Sequence, residues 1–260
     1  MGIEFSSLLS IDIAGVVAGF VFSMLIFMSG VGAGVLVVPS LIVLFGMDPT
    51  LAVATGSFYA FLAKILMTAG HAKQGGVNWG VGRKFLYLCV PITIVCALSL
   101  TLITDPTVRK EVDFYLMLAV LLAGILSVAS MFTKAIRDSL SKLGLTTLSG
   151  ITGLLMGFTG VGGGVLVVPA LASSGGLSIK SAVATSIPVG LILSLAVSLT
   201  LGSRGFMDYS MVASLMVGCL LAMPIALKVF KLLSESAIKN ITVIFISLAL
   251  LGLVKELVIH

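Results

Sequence analysis

Long uncharged stretches, separated by short polar segments, dominate the chain. The first runs from Ile13 to Met47, which is 35 residues without a charge. As a single helix it would be about 52 Å long, whereas the hydrocarbon core of a bilayer is about 30 Å thick. We therefore predict a break at the glycine cluster Gly30–Gly34. The break leaves a first helix, Ile13–Ser29, and a half-length helix, Gly34–Phe45.

The remaining apolar stretches predict further spans, and the pattern of the first half returns in the second. The second half opens with another uncharged run, Leu143 to Ile179, which is interrupted at Gly160–Gly164. The other predicted spans have lengths that suit one crossing each: Leu51–Ala69, Phe85–Ile103, Phe114–Phe132, Ser181–Ser203, Tyr209–Leu227 and Asn240–Val254. The pattern predicts an all-α polytopic membrane protein with about five apolar segments per half and broken or re-entrant half-helices at the glycine tips.

An internal repeat with an offset of 130 residues relates the two halves. Shifting the sequence by 130 places GVGAGVLVVP (30–39) on GVGGGVLVVP (160–169), with nine of ten residues identical. At the same offset, AVAT (52–55) falls on AVAT (182–185) without a gap, and Asn78 falls on Asp208. We predict two membrane repeats, residues 1–133 and 134–260.

The distribution of Lys and Arg predicts the orientation, if each broken run enters and leaves on one side or makes two short crossings. The more basic face is expected to be cytoplasmic, which puts both termini outside and gives each half an odd number of crossings. The halves are then inverted relative to each other. If each broken run crosses once, the bias weakens. Under the first topology ten basic residues share one face and four the other: Lys73, Arg83, Lys84, Lys134, Arg137, Lys142, Lys180, Lys228, Lys231 and Lys239 against Arg109, Lys110, Arg204 and Lys255.

Composition narrows the function classes. With 59% hydrophobic and 10% charged residues, the chain cannot cover a water-soluble surface, so a soluble globule, a disordered chain and a nucleic-acid binder are excluded. The acidic residues lie at helix ends or in loops, which argues against a cation relay at the midplane. No Cys and His spacing predicts a metal site, and no cofactor is expected. A serine protease is disfavoured because Gly56-Ser57 has no histidine within the spans, so no enzyme activity is predicted.

The two glycine tips are the candidate substrate site. A half-helix that begins inside the membrane offers free N–H groups and a partial positive charge, which together bind anions. The alternative is close helix packing, for which Gly15/Gly19 and Gly153/Gly157 have the appropriate spacing. Nearby hydroxyls could donate to an anion or bond back to their own helices. The candidate residues are Ser29, Gly30, Gly32, Ala33, Gly34, Thr55, Ser57, Thr159, Gly160, Gly162, Gly163, Gly164, Thr185 and Ser186.

Three further residues leave alternatives open. Lys64 lies inside a predicted span, where its ammonium could balance an anion's charge or extend to the cytoplasmic surface. Its equivalent in the repeat is Ser194. Pro39 and Pro169 follow the glycine tips. A helix that runs through them frees the carbonyls of residues 35 and 165, whereas one that starts at them lengthens the extended segment.

The duplicated GVG(A/G)GVLVVP, the AVAT stretches and the loop pairs Gly75/Gly205, Asn78/Asp208 and Trp79/Tyr209 resemble the TauE/SafE sulfite-exporter family, over essentially the whole chain. That resemblance implies a multi-pass transporter of the bacterial or archaeal inner membrane for sulfite, sulfonates or related anions. The working hypothesis is a secondary carrier, with an anion channel or a non-transporting scaffold as alternatives. The expected partners are the small anion, the lipid bilayer and an unassigned coupling ion. No nucleic acid is expected, and neither the direction of transport nor the oligomeric state can be derived.

Overall fold

The structure, a computed structural model, describes residues 11–29, 33–71, 76–133, 142–161, 166–230 and 234–259. These residues form helices joined by short loops, and none of them lies in a β-strand. The helices are α1 (Ile13–Ser29), α2 (Ala33–Phe45), α3 (Pro49–His71), α4 (Trp79–Thr101), α5 (Pro106–Phe132), α6 (Leu145–Thr159), α7 (Val167–Pro169, continued by the π-helical turn Ala170–Ser174), α8 (Ile179–Gly202), α9 (Tyr209–Phe230) and α10 (Glu235–Ile259).

Six of these helices are long and apolar enough to cross a membrane, namely α3, α4, α5, α8, α9 and α10. Helices α1, α2 and α6 are shorter apolar helices. Large apolar side chains such as Tyr87, Leu102 and Leu248 are exposed, as expected for surfaces that face lipid rather than water. The prediction of an all-helical, polytopic membrane protein is therefore confirmed.

In both uncharged runs, separate helices are described on the two sides of the glycine cluster. In the first run α1 ends at Ser29 and α2 begins at Ala33. Helix α2 continues through Pro39, so the carbonyl of Val35 loses its usual helical donor. In the second run α6 is capped by Gly160, whose φ of 64° is in the left-handed region that favours glycine.

The proline that follows the glycine tip has different secondary structure around it in the two halves. Only three α-helical residues, Val167–Pro169, precede the π-helical turn. The turn closes with the N–H of Gly175 donating to the carbonyl of Ala170, five residues earlier. Pro169 therefore neither sits inside a regular helix nor starts one, and α7 is much shorter than its counterpart α2.

Polar side chains cap the helices that follow the loops. The side chain of Asn78 accepts from the N–H of Val81 at the start of α4. Asp105 accepts from the N–H groups of Thr107 and Val108 at the start of α5. The Thr107 N–H donates to the ionised carboxylate and so lowers the pKa of Asp105. These caps satisfy donors that a helix start leaves free.

The two halves are interleaved, because each contributes a short helix to the other. Helix α1 packs along α9, and its repeat equivalent α6 packs along α4. Glycines allow the backbones to approach closely: a Cβ at Gly19 would overlap the Leu215 carbonyl, and one at Gly157 would lie 2.6 Å from the Thr93 carbonyl oxygen. A Cβ at Gly153 would lie 2.8 Å from the Cys89 carbonyl oxygen, and one at Gly15 would lie 2.7 Å from the Cβ of Ser214. The predicted packing role of these four glycines is confirmed.

Helices α3 and α8 pack against each other in opposite directions. The start of α3 lies beside the segment after α8, since the N–H of Asp208 donates to Thr55. The start of α8 lies beside the segment after α3, since the N–H of Asn78 donates to Thr185. Between these ends, Lys64 of α3 contacts Ser194 of α8. Each of these residues has its repeat equivalent among the others, at the offset of 130.

Candidate functional site

The glycine tips meet where the N-terminus of α2 abuts the C-terminal end of α6. A Cβ at Gly34 would overlap the carbonyl oxygen of Gly160 and lie 3.0 Å from the Cα of Val161. Glycine at both positions is what allows this backbone contact, and Gly160 also needs its left-handed φ. The structure therefore brings Gly34 and Gly160 together, although they are 126 residues apart in the chain.

Ser57 of α3 lies directly beside this junction. The hydrogen of Gly160 that a Cβ would replace points to Ser57 Oγ, 3.1 Å from the Cβ position, and to the side chains of Val53 and Val38. Ser57 is only 2% exposed. Its hydroxyl is the one buried side-chain N or O atom in the described part of the chain without a hydrogen-bond partner. A buried hydroxyl without a partner is costly and calls for an explanation.

The electrostatics of the junction combine a positive and a negative helix end. The first turn of α2 contributes N–H groups, and the last turn of α6 contributes carbonyls, that lack the backbone partners of an uninterrupted helix. The sequence predicts a half-helix at each glycine tip. The described residues pair the N-terminus of α2 with the C-terminus of α6, and residues 162–165 of the second tip lie outside them.

Most of the other predicted hydroxyls bond to backbone. Thr159 Oγ1 donates to the Leu155 carbonyl and accepts from the N–H of Val161, so it holds the turn at the tip. Thr185 Oγ1 donates to the Ser181 carbonyl, and Ser186 Oγ donates to the Val183 carbonyl. These are the back-bonds named as the alternative to anion binding.

Thr55 and Thr185 also contact the opposite half of the molecule. Thr55 Oγ1 accepts from the N–H of Asp208 at 3.1 Å, and Thr185 Oγ1 accepts from the N–H of Asn78 at 2.9 Å. The two bonds are equivalent at the offset of 130. Each of these helix hydroxyls therefore contacts a loop of the opposite half.

Lys64 is half-buried, and its side chain contacts the neighbouring helix α8. Its ammonium donates to the Gly190 carbonyl at 3.1 Å and to Ser194 Oγ at 3.0 Å. Both acceptors belong to α8, so the side chain bridges α3 and α8, whose antiparallel packing brings the two oxygen atoms within its reach. A role of Lys64 in balancing the charge of an anion stays a prediction.

Several predicted site residues cannot be placed. Gly30, Gly32, Gly162, Gly163 and Gly164 lie outside the described residues, as do the side chains of Ser29 and Ala33. Among the residues that are described, no group of three or more His, Cys, Asp or Glu side chains could hold a metal ion.

The sequence-based site omitted Asn78, Asp208 and Tyr59. Asn78 and Asp208 supply the N–H groups that donate to Thr185 and Thr55. The sequence signal for this pair was that Asn78 and Asp208 occupy equivalent positions at the offset of 130. Tyr59 is fully buried, with its hydroxyl 2.6 Å from Ser23 Oγ and donating to the Gly19 carbonyl at 3.2 Å. No sequence signal marks Tyr59, since its repeat equivalent is Val189.

Known proteins resemble this chain over most of its length. The profile of the family described as "Sulfite exporter TauE/SafE" matches residues 13–253. The chain belongs to this family.

Relatives of this TauE/SafE protein have been described as transporters. A probable membrane transporter protein of Methanocaldococcus jannaschii is 28% identical, over 86% of this chain and 85% of the relative. The probable membrane transporter protein YjnA of Bacillus subtilis is 26% identical, over 78% and 84%. A probable membrane transporter protein of Haemophilus influenzae is 24% identical, over 74% and 72%. No solved structure matches the chain. The family and the six apolar helices identify a multi-pass membrane protein of a transporter family.

Proposed function

We propose that this protein is a secondary carrier for small sulfur-containing anions such as sulfite or organosulfonates. The observation that carries the proposal is the buried, unpartnered hydroxyl of Ser57 beside the Gly34–Gly160 junction. A hydroxyl donor and the N-terminal N–H groups of α2 are the groups that bind a small oxyanion without a basic side chain. The glycine tips extend this site to Gly30, Gly32, Ala33, Gly162, Gly163 and Gly164.

The two halves, 1–133 and 134–260, form an inverted pair in this proposal. The support is the set of equivalent contacts across the offset of 130, together with the antiparallel packing of α3 and α8. If both helices span the bilayer, a two-fold axis that exchanges them lies in the membrane plane, which is the arrangement of many secondary carriers. In this proposal the protein lies in the cytoplasmic membrane, and the Lys and Arg bias favours an orientation with both termini outside.

Replacement of Ser57 by alanine tests the site, because its effects on binding and on stability have opposite signs. A hydrogen bond to a charged group contributes about 1.5–3 kcal/mol, so Ser57→Ala should weaken sulfite binding roughly 10- to 100-fold. The ligand-free variant should be as stable as the parent or slightly more stable, since no hydrogen bond is lost. Calorimetric titration of the purified protein with sulfite, sulfate, thiosulfate, taurine and sulfoacetate measures the first effect, and thermal unfolding measures the second.

Ser149→Ala is the matched control. Ser149 is 1% exposed and its hydroxyl donates to the carbonyl of Thr146 in its own helix. This variant should lose some stability and keep its affinity. Unchanged affinity in Ser57→Ala would contradict the site. Saturable counterflow in proteoliposomes is the result expected for a carrier, whereas unsaturable conductance would contradict the carrier mechanism.

A further inference from the structure

Two equivalent hydrogen bonds connect the helices α3 and α8 to loops of the opposite half. Asp208 precedes α9 and donates from its N–H to Thr55 of α3, and Asn78 precedes α4 and donates to Thr185 of α8. Both threonines are buried, with 0% and 1% exposure. We call these contacts the Thr55 clamp and the Thr185 clamp.

The clamps lie towards opposite ends of the α3–α8 pair. Lys64 and Ser194 bond to each other midway, nine residues from Thr55 along α3 and nine residues from Thr185 along α8. At 1.5 Å per residue each interval is about 13.5 Å. Because the helices are antiparallel, the two clamps are separated by up to about 27 Å, which is close to the thickness of the hydrocarbon core.

Each clamp ties one of these two helices to a different peripheral helix pair. The loop that carries Asp208 leads into α9, which packs along α1, whereas Asn78 caps α4, which packs along α6. Release of the Thr55 clamp therefore removes one polar contact between α3 and the α1–α9 pair at one end, while the bonds from Tyr59 to Ser23 and Gly19 remain. Release of the Thr185 clamp removes a polar contact between α8 and the α4–α6 pair at the other end. Neither release requires the Lys64–Ser194 contact to break.

Each of the two loops that carry the clamps makes one further contact. The guanidinium of Arg109 lies 4.8 Å from the ring centroid of Phe206 in the loop that carries Asp208. On the other side, Ser181 Oγ donates to the carbonyl of Gly76 at 2.7 Å. Both loops are thus held at two points, one of them the repeat threonine.

We propose that Thr55 and Thr185 are gating residues, each of which closes one face of the alternating-access pathway by holding the loop of the opposite half. The inference rests on the proposed carrier function. With both bonds made, the structure corresponds to the occluded state. Opening towards either face breaks one clamp and leaves the other intact.

Cysteine labelling tests the gates without knowledge of the substrate. The reporter is Ser57→Cys in a chain whose Cys89, Cys96 and Cys219 are replaced by alanine, probed with a membrane-impermeant methanethiosulfonate in right-side-out and inside-out vesicles. Thr55→Val and Thr185→Val remove the hydroxyls with little change of shape. Loss of one hydrogen bond shifts a two-state population roughly two- to tenfold. We expect Thr55→Val to raise the labelling rate by that factor from one face and Thr185→Val from the opposite face.

Two control variants separate gating from general loosening of the bundle. Thr200→Val removes a hydroxyl of α8 that donates to the carbonyl of Ala196 in its own helix, and it should leave labelling from both faces unchanged. Thr55→Ser keeps the hydroxyl and should restore the labelling rate of the parent. The gating role would be overturned if a valine variant raised the labelling rate equally from both faces. It would also be overturned if neither valine variant raised the labelling rate.

A double cysteine variant keeps the inference testable if a valine variant does not fold. Oxidation of the pair Thr55→Cys and Asp208→Cys should stop anion flux in proteoliposomes, and a reductant should restore it. Normal sulfite flux in the fully cross-linked protein would overturn the gate. Opposite labelling shifts without flux of any tested anion would instead refute the proposed substrate class and leave the gates standing.

Discussion

Gly34→Ala is the sharpest test of the junction between the two glycine tips. The added Cβ would overlap the carbonyl oxygen of Gly160 and lie 2.8 Å from its carbonyl carbon. Restoring an ordinary contact distance of 3.4 Å to that carbon alone moves the tips apart by about 0.6 Å. Because backbone on both sides must shift, we expect a loss of about 1–3 kcal/mol in the free energy of unfolding.

The same displacement should weaken anion binding, since it separates the N-terminus of α2 from Ser57. Thermal unfolding in detergent and sulfite titration measure the two effects on one preparation. Gly144→Ala is the first control, because no atom lies within 4 Å of its Cβ position. Gly124→Ala is the second, because the nearest atom there is the flexible end of Leu250. If Gly34→Ala is as stable and binds as tightly as these controls, the close contact of the tips is refuted.

Two further predictions concern charged side chains. Lys64→Met and Ser194→Ala should not be additive in stability, with a coupling of about 1 kcal/mol in a double-mutant cycle, because they remove the same inter-half bond; additive losses would refute the bridge. Asp105→Ala should destabilise the protein at neutral pH through loss of the α5 cap. Because the folded state lowers the pKa of Asp105, its contribution is present above the unfolded pKa of about 4 and is lost as the pH falls through the lower folded value. The stability gap between parent and variant should therefore narrow in acid, and a constant gap between about pH 3 and pH 7 would contradict the role of the ionised carboxylate.

Hydropathy predicted the apolar part of each helix, but not the polar turns beyond it. The predicted half-helix Gly34–Phe45 begins one residue after the observed start at Ala33. In contrast, α4 starts at Trp79 rather than Phe85, because Asn78 caps the helix and Arg83 and Lys84 do not interrupt it. Charged residues end an apolar run, but they are compatible with helix outside the hydrocarbon core.

The partners of the polar side chains required information that a local sequence pattern does not hold. The bond from Lys64 to Ser194 depends on how α3 packs on α8, which joins residues 130 positions apart. A usable signal was nevertheless present, because Lys64 and Ser194 occupy equivalent positions of the repeat. The Thr55–Asp208 and Thr185–Asn78 bonds are also related by the repeat, because Thr185 is the equivalent of Thr55 and Asp208 is the equivalent of Asn78.

Identity and difference between the repeats have separate meanings in this molecule. Thr55 and Thr185 are identical and make equivalent inter-half bonds, which suits a frame that must close in the same way at two faces. The repeat equivalent of Ser57 is Ile187, so the unpartnered hydroxyl occurs once among the described residues. The repeat equivalent of Lys64 is also a different residue, Ser194. A small anion bound between two similar halves needs only one set of donors, whereas alternating access needs two gates. Among the polar side chains, the duplicated Thr55 and Thr185 are therefore expected to govern conformational exchange, and the unduplicated Ser57 is expected to bind substrate beside the glycine tips that both halves share.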